Sequence, residues 1–510
     1  MSRHLPAIQF LLPLVTAICL PVIGLKHKEW SRPLTHLTLL LMTVVSVVNL
    51  VNVMLTGPIE YAFGGWAPPV GIEWVADGLA SVLMVPLSIL SWVCVIYMRN
   101  TLSIPDLGNR VVHFYILILL LIAGLTGMVY AGDLFNLFVF LEVVALCGYA
   151  LVGVAGGKAL VSAFRYLILG TFGASLYLLG VSFLYAETGT LNMGDLAERL
   201  PGVMTSKAVA VGVLFMFIGL GIKMALIPLH GWLPDAYTHS PESVTPFLAS
   251  LVTKVALYGW IRIMFWVLGA NAIVYKIPVL QLVGFLGGVA AVVGAFLALS
   301  QEEVKRMFAF GGLSHIGLIL VGISLGNQTG FAGGVFYLLN DAVMQAGLFF
   351  FAGIAIHRFG VQTVEDLIRL GGRPSWMVGS LIVMAMAMIG IPPTGGFFGK
   401  WYMILGAIQG GNYLAVAAIL GATLLTMAYF IKLFERVFRE RGAMTNLPVV
   451  EVSSSLKGSL IGMSVAIIIL GIFSDAVVGF LIDSTIPPGL EQNVGALLKE
   501  TTTSWNLAAL

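Results

Sequence analysis

Three lysines and one glutamate stand inside otherwise apolar stretches: Lys223 in GIKMALIPLHGWLPDAY, Lys254 closing LVTK, Lys400 in GIPPTGGFFGKW and Glu142 in GDLFNLFVFLE. An ionisable side chain at membrane depth is costly, faces a protein interior or water, and is a functional candidate by default. Glu142 lies about nine residues into its run, which at about 1.5 Å per residue puts the carboxylate near mid-membrane. Unpaired, it takes up a proton; beside a cation it stays ionised. Lys223, also well inside its run, is the natural partner. Two such groups set each other's protonation, so moving the carboxylate away makes the lysine give up its proton. The same pair also fits a static bridge that only fixes helix packing. Lys254 and Lys400 extend the series: a desolvated lysine can load and unload near neutral pH, whereas one near a helix end snorkels to the interface.

Other candidates flank this set. His230, Asp235, His239 and Glu242 crowd one connection. They suit a hydrated route of proton or cation uptake or a solvated loop, and their spacing matches no standard metal motif. His315 follows Ser314 inside a span, where an imidazole beside a hydroxyl suits a water-linked relay, or a plain bond to a helix carbonyl. Asn340 and Asp341 add polar groups to YLLNDAVMQAG, and Asp341 is expected to pair with a lysine. Pro228 has no N–H for the carbonyl of Met224, and Pro392 and Pro393 likewise leave the carbonyls of Met388 and Ile389 free. Irregular backbone at this depth is tolerated where protein buries it or water lines it. Two breaks, each with a lysine close by, suggest two related halves, a known pointer to transport sites.

The elements that hold these residues are membrane helices. Of 510 residues, 59% are hydrophobic and 10% charged, against about a quarter charged in a soluble domain. Apolar runs near bilayer thickness predict an all-α polytopic protein of about fourteen helices, near 6–24, 35–55, 77–98, 111–130, 133–153, 161–184, 207–228, 240–266, 279–300, 304–324, 331–355, 378–408, 413–434 and 457–481. The first run lacks a small-residue cleavage site and reads as a helix, not a signal peptide. Gly57 to Trp74 reads as an extracytoplasmic turn or hairpin, 357–374 as an amphipathic surface connection, and Gly489 to Leu510 as an interfacial helix or arm. Most lysines and arginines fall in the odd-numbered connections, which places those in the cytoplasm and both termini outside. Cys19, Cys94 and Cys147 are isolated and read as buried small hydrophobes. A net charge of +2 excludes a basic field for nucleic acid, and no Rossmann fingerprint, P-loop or cysteine cluster offers a cofactor site. Energy must then come from an ion gradient or another subunit.

GDLFNLFVFLE, GIKMALIPLHGWLPDAY, LVTK, EEVKRMFAFGGLSHIG and GIPPTGGFFGKW together resemble the antiporter-like membrane subunits: the D-type member of Mrp cation/proton antiporters, the M- and N-type proton-pumping members of respiratory complex I, and counterparts in membrane-bound hydrogenases. The resemblance covers roughly residues 75 to 440. It implies two inverted five-helix repeats, 111–266 and 279–434, preceded by helices in 1–110 and followed by a last helix and tail in 435–510. It further implies Glu142 as the carboxylate of the fifth helix, Lys223 as its partner, Lys254 as the central lysine, Lys400 as the terminal one and His315 on the axis between them. Asn340 and Gln345 depart from the pattern, because the family often carries a histidine and a lysine on that helix. The function implied is proton or cation/proton translocation within a multisubunit complex of a prokaryotic cytoplasmic membrane, with protons, and sodium as a second candidate, as cargo. Both an Mrp-type antiporter and a redox-driven pump fit. A self-sufficient carrier and a structural subunit without transport are the alternatives.

Overall fold

A computed structural model of the chain describes residues 2–101, 110–275, 279–370, 375–439 and 451–490. Apolar runs become helices in order: α1 (Leu5–Lys26), α2 (Ser31–Thr56), α3 (Gly78–Met98), α4 (Val111–Tyr130), α5 (Leu134–Gly153) and α6 (Lys158–Thr188). A short α7 (Met193–Val203) leads to α8 (Lys207–Lys223), α9 (Leu233–His239), α10 (Thr245–Val267) and α11 (Ala270–Tyr275). There follow α12 (Val279–Leu299), α13 (Val304–Ser324), α14 (Gln328–Phe359), α15 (Ser375–Ile389), α16 (Gly395–Gln409), α17 (Tyr413–Phe438), α18 (Ser454–Ile472) and α19 (Ser474–Thr485). Among the described residues, 12 helices are long and apolar enough to cross a membrane. Two further crossings are interrupted, one between α8 and α9 and one between α15 and α16. Counted once each, they bring the total to the expected number.

The helices form two shells. The apolar core of α10 is buried throughout, and α13 and α14 nearly so, while α1, α2, α6 and α17 bury only a minority of theirs. Helices that are apolar all round belong inside, and these three carry Lys254, His315 and Asp341. Small residues bring neighbouring helices close, as in membranes generally. A Cβ on Gly219 of α8 would come within 2.5 Å of the Gly173 carbonyl on α6, and one on Gly317 of α13 within 2.5 Å of the Gly287 carbonyl on α12.

Starts are capped by short polar side chains, Asp77 on α3, Asp133 on α5, Asn192 on α7 and Asn327 on α14, a bond worth about 1 kcal/mol each. The segment from Gly57 to Trp74 is a hairpin, β1 (Ile59–Ala62) pairing antiparallel with β2 (Glu73–Ala76) in the register Ile59 to Ala76. Buried Trp74 anchors it against Phe10 and Phe63.

Several expectations need correction. The seventh helix ends at Lys223, not 228, whereas the twelfth is broken at Pro392 and Pro393 as expected, into two pieces of 15 residues each. The last expected helix is divided at Phe473 into α18 and α19. Helix α7 is not among the expected elements, although Met193, Leu196 and Leu200 form a buried stripe behind its Asn192 cap. Cys19 lies exposed on α1, while Cys94 and Cys147 are buried as expected. In the 357–374 connection, α14 runs on to Phe359 and a tight turn covers Glu365–Leu370. Asp366 there accepts from the amides of Gln362 and Thr363, and these bonds hold its carboxyl below the usual carboxylate range. Residues 371–374, and the tail reading beyond Leu490, lie outside the described residues.

Candidate functional site

The first ion pair forms where α8 stops. Its carbonyls are taken up locally: Leu226 N–H donates to Gly221 (2.8 Å), Ala225 N–H to Ile222 (3.1 Å), and the Trp232 indole also to Ile222 (2.7 Å). Ala225 sits at φ 58°, a left-handed conformation disfavoured for residues with a Cβ. The interruption therefore begins three residues before Pro228. With the helix end satisfied in this way, Lys223 turns aside. Its Nζ lies 3.3 Å from Glu142 Oε1 on α5 and 3.4 Å from the Tyr149 hydroxyl. Lys223 is 7% exposed and its partner 26%, so the carboxylate is the more accessible half. An aromatic column backs the pair, with Trp232 stacked 4.0 Å over Tyr166 and Tyr166 edge-on to Tyr149.

The centre is a trio on three inner helices. In α10 the turn Leu248–Val252 is widened, a feature that frequently marks functional positions. Lys254 Nζ donates to the Ala249 carbonyl in that turn (2.8 Å) and pairs with Asp341 Oδ2 (2.8 Å). The other oxygen of Asp341 meets His315 Nδ1 at 2.9 Å, with the Tyr337 hydroxyl 3.3 Å from the same nitrogen and Gln345 donating to Asp341 at 3.4 Å. Asp341 and His315 are fully buried. Ser314 is not part of this group: its hydroxyl donates to the Ala291 carbonyl (2.6 Å) and ties α13 to α12.

The third lysine lies at the second interruption. α15 stops at Ile389, Gly390 takes φ 87°, and Pro392 and Pro393 prevent the helix from resuming before Gly395. The carbonyls of Met388 and Ile389, left free by those prolines, are the ones that Lys400 Nζ reaches, at 2.8 and 3.1 Å. Its third contact is Thr423 Oγ1 on α17 at 3.0 Å.

The polar connection between α8 and α10 is not one cluster. Asp235 is gripped by Arg165 (2.6 Å) and Arg306 (2.8 Å), His239 Nδ1 meets the Ser162 hydroxyl (2.8 Å), and His230 packs edge-on to Phe310. Among the described residues no group of three His, Cys, Asp or Glu side chains could hold a metal ion, because these residues face different helices. Two buried cations are absent from the sequence-based candidates. Arg262 pairs with Asp77 and stacks on Trp266, and Lys305 donates to the Ser240 carbonyl (2.7 Å). Both count as surface-connection residues in the Lys/Arg pattern. Arg262 lies within YGWIRIMFW, so the rule that flags the lysines applies to it equally.

A family described as "NADH:quinone oxidoreductase/Mrp antiporter, TM" matches residues 131–426. The chain is 36% identical to the N subunit of NADH-quinone oxidoreductase from Desulforudis audaxviator over 504 residues, covering 96% of this chain and 99% of that one. It is 30% identical to the D subunit of the Na(+)/H(+) antiporter from Alkalihalophilus pseudofirmus over 86% and 87% of the two chains. A chain of the archaeal membrane-bound sulfane sulfur reductase superposes with a TM-score of 0.86 at 29% identity, over 97% of this chain and 99% of that chain. On these matches, the chain belongs to the NADH:quinone oxidoreductase/Mrp antiporter transmembrane family.

Proposed function

We propose that the chain is an ion-translocating subunit of a multisubunit membrane complex, moving protons, alone or in exchange for a cation such as sodium, through its interior. The observation that carries this reading is the set of buried ionisable groups at the irregular points of the helices: Glu142 with Lys223, then Lys254, Asp341 and His315, then Lys400. Asp341 serves two bases with its two oxygens. Lys254 and His315 therefore share one counter-charge in a low-dielectric interior, which makes the trio a single unit for moving charge. Glu142, with the more accessible carboxylate, is placed to couple Lys223 to a neighbouring subunit.

Asn340 and Gln345 stand where the family often titrates. Their side-chain oxygens, and the Thr253 hydroxyl beside Lys254, are buried with no partner among the described residues. Buried polar atoms of this kind commonly bind water, and a water step here would connect the trio to Lys400. The helices of 111–266 and 279–434 are proposed as inverted repeats, supported by an interruption and a lysine in the fourth helix of each. The Lys/Arg bias supports both termini being extracytoplasmic, and the bacterial relatives support a prokaryotic cytoplasmic membrane.

The test is reconstitution of the intact complex in vesicles with an imposed pH gradient. Lys223→Ala is expected to abolish coupled transport while the complex still assembles; coupled transport at the original rate would overturn the reading. The chains that co-purify separate its two forms. Small hydrophobic subunits alone mean an antiporter, whereas flavin, iron–sulfur or hydrogenase subunits mean a redox-driven pump.

A further inference from the structure

We propose that Thr423 is the positioning residue of the terminal lysine, holding the Lys400 amine in one place in both of its protonation states; this rests on the translocation reading above. An ammonium has three N–H donors, and Lys400 finds three acceptors, the carbonyls of Met388 and Ile389 and the Thr423 hydroxyl, at 2.8, 3.1 and 3.0 Å. All three are neutral, whereas Lys223 and Lys254 each have a carboxylate. The cradle therefore responds to loss of the proton differently from the other two sites.

A carbonyl only accepts, so the two carbonyls can take N–H donors from the lysine in either state but can serve no lone pair. After a proton leaves, the amine has two N–H donors and a lone pair, and that lone pair needs a donor. Among the three cradle groups only a hydroxyl can accept from the ammonium and then, by rotating its hydrogen, donate to the amine. Thr423 thus satisfies the neutral lysine where the carbonyls cannot, and an unsatisfied buried polar atom is what makes such a state costly. Its neighbour one turn on shows the contrast. Thr426 gives its hydroxyl to the Ala422 carbonyl at 2.8 Å, the usual local habit of helical threonine, while Thr423 reaches across to another helix. Gly390 completes the fit, because a Cβ there would stand 3.1 Å from Lys400 Cδ.

The experiment uses the intact complex in vesicles and compares Thr423→Val, which keeps the shape without the hydroxyl, Thr423→Ser, which keeps the hydroxyl, and Lys400→Met. Thr423→Val is expected to slow transport about tenfold, the size of one buried unsatisfied hydrogen bond, and Thr423→Ser to stay within about twofold of the original. In the Lys400→Met background, Thr423→Val should cause no further loss, since the two residues act as a unit. Normal transport by Thr423→Val, or a Thr423→Ser as slow as the valine variant, overturns the assignment. If Thr423→Val fails to assemble, Thr423→Ala is read against Thr423→Ser in the same assay with the same outcomes. Should Lys400→Met itself transport normally, the role of Lys400 falls with it; an inactive Lys400→Met beside a normal Thr423→Val removes only Thr423.

Discussion

At the first interruption the helix stops on its lysine, and at the second the lysine comes after the gap and reaches back across it. The carbonyls at the end of α8 are closed by Leu226, Ala225 and the Trp232 indole, so Lys223 faces a side chain, Glu142. Those at the end of α15 include two that receive Lys400 itself. One lysine faces a carboxylate on a separate helix; the other faces two backbone carbonyls and a single neutral hydroxyl, that of Thr423. On the proposed translocation reading, the difference would put the responsive end of the chain at Lys223 and the steadier end at Lys400.

Between them, Asp341 bridges Lys254 and His315, and on the proposed reading its removal should have the largest effect. Asp341→Ala leaves Lys254 and His315 buried around no counter-charge, and breaking a buried pair costs about 3–5 kcal/mol. The purified complex should lose thermal stability as well as transport. A stable, inactive complex would mean that Asp341 acts on charge movement alone, and a stable, active one would detach the trio from function.

Next comes the carboxylate dependence of the first interruption. Glu142→Ala should abolish coupled transport and lower stability by about 1–3 kcal/mol, less than a fully buried pair because the carboxylate is partly exposed. Adding Lys223→Met should restore much of the stability but none of the transport, because no orphaned charge remains. The comparison fails if Glu142→Ala leaves transport intact, since the two lysines would then be equivalent.

How much of this can be read from the residues depends on whether the cause is local. The carbonyls of Met388 and Ile389 follow from Pro392 and Pro393, because a proline acts on a partner four residues back, and Lys400 is bonded to both. Pairing of Glu142 with Lys223 follows from depth alone. The partner of Asp341 does not, since registry between α10 and α14 is a property of packing. The stop at Lys223 escapes the sequence because no proline or glycine marks it; the turn is made by Ala225 in a conformation its side chain opposes. The pairing of Arg262 with Asp77 escapes it because the two lie far apart in the chain and only the fold brings them together.

The second interruption can be tested through its backbone. Gly390 has φ 87°, and a Cβ would meet Lys400 Cδ at 3.1 Å. Gly390→Ala should cost about 1–2 kcal/mol for the left-handed conformation, read as a lowered thermal midpoint, and should displace the lysine from its carbonyls, slowing transport. An unchanged rate would mean that the cradle tolerates a shifted lysine, and the contrast between the two lysines would weaken.

The smallest effect is the reverse exchange at the first interruption. Ala225 at φ 58° carries the strain that glycine avoids at position 390. Ala225→Gly should relieve about 1–2 kcal/mol of it, offset by about 0.5–1 kcal/mol for the added freedom of glycine in the unfolded chain. The net expectation is a gain of up to about 1 kcal/mol in stability, measured as a slightly raised thermal midpoint of the complex. Transport tells what the strain is for. If the turn only ends the helix, the rate stays the same. If Ala225 holds Lys223 at its distance from Glu142, the relaxed variant should be more stable and slower, and a faster variant would contradict the placement of the responsive end at Lys223.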